Sequence, residues 1–261
     1  MSLYTNILYL LHTLIRLRIW LFSVWDKVVI TTKSIVAMNF IQNPGSLIDL
    51  SSIHRDSKRM KQIPAHIGLV VVEDSISCKD IAKVIVWSIG IGIPCVTLFD
   101  QKGWLKEMRH KINQEVTNYY NLLLSKEKTK MVLSCRNGIA LANISIPGYS
   151  KPIRLNFLSN SDGRQDIVTA AQKLCSDSNF YHATVTDQEI DRVTSTLHAT
   201  HGFPDPELVI KFGDIDSMLG FLPWQIRLTE ITSLLSHWNL PYSLFLNVIR
   251  DYSNCQQRFG K

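Results

Sequence analysis

Five residues, Gln257-Arg258-Phe259-Gly260-Lys261, close the sequence with a combination suited to a diphosphate. Arg258 supplies a planar, permanently charged fork that matches phosphate oxygens. Gly260 has no Cβ, so its backbone N–H can come close to a ligand. Phe259 between them would pack and set the course of the tail. A chain terminus ordinarily frays, so a tail of this kind does chemistry only when something folds around it.

No other motif in the sequence competes with it. There is no G-x-G-x-x-G, no Walker A loop and no G-x-S-x-G. The eight histidines form no H-E-x-x-H, and His198 and His201 fall in a loop pattern where solvation outweighs metal binding. Cys78, Cys95, Cys135, Cys175 and Cys255 are odd in number, widely spaced and without C-x-x-C. That usage reads as reduced thiols in a cytosol-facing domain, with neither a disulfide framework nor a zinc site. The sequon Asn143-Ile144-Ser145 then reads as a chance occurrence.

With 261 residues, 46% hydrophobic and 19% charged, the chain can bury a full core, as one principal domain with an appendage. Its net charge of +6 is unevenly placed. Residues 1–65 hold Arg16, Arg18, Lys27, Lys33, Arg55, Lys58, Arg59 and Lys61 against Asp26, Asp49 and Asp56, which is eight minus three, or +5. The remainder is nearly neutral, which excludes nucleic acid as a partner for a basic face of the fold.

The same end of the chain has a helical apolar pattern. Leu3, Ile7, Leu10, Leu11, Leu14, Leu17 and Leu21 share one wide arc, opposite Ser2, Thr5, Asn6, Tyr9, His12, Thr13 and Arg16. Arg18 lies inside the arc, where its long stem can snorkel outward, and Trp20 and Trp25 suit a bilayer boundary. Arg16 and Arg18 make a spanning helix costly, and a cleaved signal peptide lacks its charged start and small-residue cleavage site. The expectation is a membrane-associated amphipathic anchor over residues 1–40, lying flat or steeply tilted, then a basic linker over 41–63. A soluble amphipathic helix packed on the domain is the competing reading. The stretch His54-Arg55-Asp56-Ser57-Lys58-Arg59-Met60-Lys61 would lie near anionic headgroups or be a solvated connector.

From residue 64 onward strand and helix patterns alternate. Strands are expected at 66–72, 95–99, 153–158 and 208–212, with helices at 80–90, 104–125, from 164, 187–196 and 242–256. A hairpin turns at Arg136-Asn137-Gly138, and further elements occupy 221–233. This order means an α/β fold with a mostly parallel central sheet flanked by helices. Ligands of such sheets gather past the carboxyl ends of strands. Those places read Val72-Glu73-Asp74-Ser75, Asp100-Gln101-Lys102-Gly103 and Gly213-Asp214-Ile215-Asp216-Ser217, acidic or neutral and without a phosphate-binding loop.

The stretches Asp205-Pro206-Glu207-Leu208-Val209-Ile210-Lys211-Phe212-Gly213 and Leu219-Gly220-Phe221-Leu222-Pro223-Trp224-Gln225-Ile226-Arg227 resemble the cis-prenyltransferase family. The likeness extends to His66-Ile67-Gly68-Leu69-Val70-Val71, to Ser161-Asp162-Gly163-Arg164-Gln165-Asp166 and to the Arg258-Phe259-Gly260 end. Within the family it is similar to the non-catalytic Nogo-B receptor type of subunit. The resemblance implies an undecaprenyl diphosphate synthase-like domain over 64–261, plus the N-terminal membrane-associated helix.

The departures carry as much information as the matches. Catalytic members place a metal-holding Asp after the first strand, where this chain has Val72. Their Arg at the end of the late strand is here Lys211, expected as a solvent-facing strand end. Their second Arg and the Ser two positions on are here Ser217 and Leu219. Trp224 is expected in core or interface. The resemblance thus implies a subunit without catalytic residues of its own, holding no metal. It would pair with a catalytic cis-prenyltransferase subunit in which Mg²⁺, isopentenyl diphosphate and farnesyl diphosphate bind. Arg258, Phe259 and Gly260 would reach across the interface into that partner's isopentenyl diphosphate site. The setting implied is the endoplasmic reticulum membrane, with the domain facing the cytosol and serving dolichol synthesis and protein glycosylation. Two other readings stay open: a self-sufficient homodimeric prenyltransferase using Glu73 or Asp74 for metal, and a receptor or scaffold using the fold as a binding module.

Overall fold

The structure, a computed structural model, describes residues 48–124, 132–136, 139–143, 153–176 and 202–255, with short pieces at 12–13, 16–18, 186, 188–190 and 192–193. The chain divides into two units, Met1–Ser46 and Leu47–Lys261. In the first, residues 12–13 and 16–18 are helical and exposed. Among the described residues no helix is long and apolar enough to cross a membrane. Most of the expected anchor lies outside the described residues.

The second unit begins earlier than the sequence reading placed it. Residues 47–63 were read as part of a linker, but Leu50–Ser57 form helix α1, capped by the Asp49 side chain and seated through buried Leu50, Ile53 and Ser57. The apolar 50/53/57 spacing, hidden among charges, is what docks it. Lys61 N–H then donates to Ser253 Oγ at 2.8 Å, tying the segment to the far end of the chain.

The central sheet has seven strands in the order β3-β4-β5-β2-β1-β6-β7. These are β1 (His66–Val71), β2 (Cys95–Asp100), β3 (Val132–Arg136), β4 (Ile139–Asn143), β5 (Ile153–Leu158), β6 (Leu208–Phe212) and β7 (Glu230–Leu234). The pairs β1–β2, β1–β6, β2–β5 and β6–β7 are parallel; β3–β4 and β4–β5 are antiparallel. The expected α/β architecture and hairpin are both present. β1, β2 and β6 are buried along their whole length, as central strands with covered faces must be.

Strand alternation divides the core in two. Ile67, Leu69, Val96, Leu98, Leu155, Leu208 and Ile210 point to a large first face. There they meet α2 (Cys78–Ile91), α4 (Arg109–Leu123) and α6 (Tyr242–Asn254). Ser77 caps α2 at its start and Gly92, at φ 103°, ends it. The long helix expected over 104–125 is two pieces, α3 (Trp104–Glu107) and α4, broken at Met108. Val70, Phe99, Leu158, Val209, Phe221 and Leu222 form a smaller cluster on the second face, beyond which α5 (Arg164–Ser176) follows β5 in the chain.

At the amino ends of the strands this second face is polar. His66 is fully buried, with Nδ1 2.7 Å from the Pro204 carbonyl and Nε2 2.7 Å from Thr97 Oγ1. A carbonyl only accepts, so Nδ1 carries the proton and Nε2 accepts from the Thr97 hydroxyl. Burial holds the His66 pKa down to about 4, against 6.5 ordinarily, with the Arg154 charge adding to the effect and the Pro204 hydrogen bond opposing it. Between those values the unfolded chain binds a proton that the fold refuses. The stabilising contribution is therefore present above about pH 6.5 and lost as pH falls towards 4. We expect His66 to cost the fold about 3 kcal/mol across that window. Urea unfolding measured against pH would read it, and His66→Gln should flatten this component. Identical pH slopes for the two proteins would contradict it.

Candidate functional site: the carboxyl ends of the strands

The register of the sheet lines up a row at the ligand-binding edge: Phe99 pairs with Val70, which pairs with Lys211. By alternation Val70, Val72, Phe99, Leu158 and Lys211 share the second face. Phe221 closes this face from above. Gly68 has no side chain, and a Cβ there would stand 2.8 Å from Phe221 Cζ, so the ring occupies the space that the glycine leaves. Phe221 is fully buried and meets Phe99 edge-on at 5.5 Å between ring centres. Val72, Met218, Leu219 and Ile226 pack around the same cluster. The edge where a phosphate group would need donors is lined with aliphatic and aromatic carbon.

The loop after β6 is held down to make this lid. Leu219 and Leu222 take left-handed backbone angles, φ 50° and 35°, uncommon for a branched side chain. Gly220, at φ 85°, brings its carbonyl so close to Gly163 that a Cβ on Gly163 would sit 2.2 Å from the oxygen. Leu219 N–H donates to Ser217 Oγ at 3.1 Å. Ser217 thus folds its hydroxyl back onto the loop, and Leu219 turns inward to the core.

Lys211, Glu73, Asp74, Asp100 and Asp162 at the edge each have a partner in the chain. Lys211, read from sequence as solvent-facing, is only 4% exposed. The strand continues inward under the loop, and its ammonium donates to the Ile215 carbonyl, with Asp216 at 3.8 Å. Glu73 accepts from Ser236 Oγ, from His237 N–H at 3.0 Å and from the buried His237 ring at Nδ1. The other ring nitrogen, Nε2, accepts the Ser77 N–H at 2.8 Å, so His237 is neutral in this arrangement. Asp74 is fully in solvent, where it meets Lys102 at 3.0 Å, an ion pair of small worth. Asp100 turns both oxygens to the N–H groups of Trp104 and Leu105, each at 2.9 Å, and starts α3. Asp162 forms a capping box with Ser159 and pairs with Lys106.

A Mg²⁺ site does not fit these residues. Val72 has no side-chain oxygen to offer, Glu73 is held by Ser236 and His237, and Asp74 stands in solvent beside Lys102. Among the described residues no three His, Cys, Asp or Glu side chains come together as a metal-binding group. Arg258, Phe259 and Gly260 lie outside the described residues, which end at Cys255 just past α6. His198 and His201 lie outside them too. Trp224 is half-buried with the Arg227 guanidinium 5.0 Å over its ring. Two features of the site were not read from the sequence. Gly68 looked like an ordinary strand residue, and Glu73 looked free because its partner, His237, is 164 residues away.

Comparison with known proteins gives the family of the chain. Residues 104–260 match the family described as putative undecaprenyl diphosphate synthase. The chain is 38% identical over 208 residues to the mouse dehydrodolichyl diphosphate synthase complex subunit Nus1, covering 79% of this chain and 69% of that one. The chain belongs to the cis-prenyltransferase family. Its human counterpart in the comparison, the NUS1 subunit of the same complex, is 36% identical over 221 residues, with 79% and 70% covered. Isoprenyl transferase 1 of Corynebacterium glutamicum is 37% identical over a shorter stretch of 114 residues, 42% of this chain and 50% of that one. Among cis-prenyltransferases this chain is of the Nogo-B receptor type. Its Val72, Lys211, Ser217 and Leu219 have structural places, as a closed apolar edge with an internally paired lysine.

If Glu73 is a tie between loops, its loss should be felt in stability. We expect Glu73→Ala to cost about 3 kcal/mol in urea unfolding, because a buried imidazole N–H and two further donors lose a charged acceptor. Mg²⁺ or a chelator should leave the wild-type melting temperature unchanged. A Mg²⁺-dependent rise that vanishes in Glu73→Ala would instead make the residue a ligand.

Proposed function

We propose that this cis-prenyltransferase chain is the accessory subunit of a heteromeric dehydrodolichyl diphosphate synthase. It is inactive alone, stabilises a catalytic homologue and supplies Arg258, Phe259 and Gly260 to that partner's isopentenyl diphosphate site. The observation that carries the reading is the closed edge: Val72, Met218, Leu219 and Phe221 fill it, and Lys211 is consumed by Ile215 and Asp216. Two diphosphate substrates need concentrated, outward-aimed positive charge, and the cation of this row, Lys211, is aimed inward.

A partner-facing surface supports the pairing. β7 is an edge strand of the sheet, and next to it Leu228, Ile231, Leu235 and Trp238 are between 45% and 66% exposed. Exposed apolar side chains along an unpaired strand mark a protein interface. The Glu73–His237 tie fixes the exit of that strand, and so sets where Leu235 and Trp238 stand. The names of the mouse and human relatives, subunits of a dehydrodolichyl diphosphate synthase complex, support the same assembly.

In this reading the chemistry belongs to the partner, whose Mg²⁺ supplies charge neutralisation for the allylic substrate, farnesyl diphosphate at the start of elongation. This chain's part is positional. The Arg258 guanidinium donates to diphosphate oxygens of isopentenyl diphosphate, the Gly260 N–H donates beside it, and Phe259 holds the tail's course. The complex would elongate polyprenyl diphosphate towards dolichol for protein glycosylation. It would sit at the endoplasmic reticulum membrane, anchored by the N-terminal segment with the domain in the cytosol.

Isoprenoid elongation by each subunit alone and by the co-expressed pair tests the proposal. We expect no turnover from this chain alone. Arg258→Ala should leave the complex assembled and lower its kcat/KM about a hundredfold or more. Mg²⁺-dependent turnover by the chain alone would favour a homodimeric enzyme. Full activity without the tail would favour a scaffold.

A further inference from the structure

The chain's positive charge has a definite place in the fold. Arg55, Lys58 and Arg59 follow i, i+3, i+4 spacing along α1 and its exit turn, with Lys61 next, and all four are exposed. Leu50, Ile53 and Ser57 bury the opposite side of the same helix. The cations therefore project from a segment held at both ends. At its start Ile53 packs into the core, and at its finish Lys61 N–H, Gln62 N–H and Gln62 Nε2 bond to Ser253, Tyr252 and Cys255.

Two acids lie in the segment and offset the four cations only in part, Asp49 through the charge of Arg55. Asp49 is turned to the N–H and hydroxyl groups of Ser52 and Ser51 as the helix cap. Asp56 accepts from the Tyr242 hydroxyl at 3.1 Å and pairs with Arg250 at 3.8 Å. Beside the cations, His54, Ser57, Ile63, Ile89, Gly90, Ile91 and Gly92 line an apolar slot of about 170 Å³. Ile63 is 37% exposed at its wall.

We infer that α1 and the turn after it form a rigid cationic surface that docks the domain onto an anionic lipid bilayer. Four exposed cations against two carboxylates, one of them paired with Arg250, leave a net positive surface that seeks anionic headgroups, and Ile63 with the slot offers the apolar contact that an interface of headgroup and acyl chain supplies. A bilayer is favoured over an acidic protein by position in the chain. The surface directly follows the apolar, Trp-bearing N-terminal segment, and residues 1–65 carry +5 of the net +6 while the rest of the chain is close to neutral. Docking would hold the domain at a set height and orientation, which a flexible tether does not. The inference rests on the membrane reading of residues 1–40 and adds a second, electrostatic contact to it.

The test is flotation of the full chain with phosphatidylcholine vesicles, with and without phosphatidylserine, across a salt series. The N-terminal segment, with Arg16, Arg18, Lys27 and Lys33 against Asp26, would give a preference for anionic vesicles of its own, which the truncated chain 1–47 measures as the baseline. The surface adds a preference for anionic vesicles of about a hundredfold at low salt that falls as ionic strength rises. Replacing Arg55, Lys58, Arg59 and Lys61 together by Gln should lower the preference about a hundredfold, to the level the N-terminal segment gives, while binding to neutral vesicles and the melting temperature stay as they were. Single replacements should each lower it about threefold, so a failure of the quadruple variant to fold leaves four informative proteins. Preference for anionic vesicles without binding to neutral ones would remove the anchor and still support the surface. An undiminished preference in the variants, or none in the wild type, would overturn it.

Discussion

Phe221 seated over Gly68 is the contact on which the rest of this structure depends. β1 runs through the middle of the sheet with both faces buried, and Gly68 leaves a gap on its second face. A gap of that depth is either a channel or a seat for a side chain, and here the ring fills it. To place the ring, the loop after β6 must descend across the strand ends. Leu219 and Leu222 take left-handed backbone angles there, and Gly220 presses its carbonyl against Gly163. Strain of this kind persists only where surrounding packing over-determines it. The packing of Val72, Met218 and Leu219 beneath the loop provides that determination, and it also closes the edge to ligands.

The polar groups follow from the same closure. A lysine at the end of β6 is buried once the loop covers it, so it must find an acceptor, and the Ile215 carbonyl is at hand. Glu73, one residue past the closed row, turns away from the edge and ties the exit of β1 to that of β7 through Ser236 and His237. The apolar lid and the outward-facing edge strand are thus two consequences of one arrangement.

The α/β alternation, the central strands, the hairpin and α6 were all legible from sequence, because β-branched runs and helical periods reflect local geometry. The break at Met108 was not, since both pieces of the helix share one period. The docking of α1 was missed because its apolar residues are diluted by charge, and periodicity over eight residues is a weak signal. Lys211 was misread as exposed because its burial comes from a loop rather than from its own strand.

What the sequence by itself determined is the class of the fold, the family resemblance, and the identity of the residues that could or could not chelate a metal. These are properties of residue type and order, visible without knowing which segments meet. Only the tertiary structure decided what the substituted residues do instead. That Phe221 fills the space over Gly68, that Glu73 answers His237, and that part of a basic linker is a docked helix all depend on contacts between residues far apart in the chain. Local propensity carries no record of such contacts, because they are settled by which apolar surfaces can be buried together and which buried charges must then be paired.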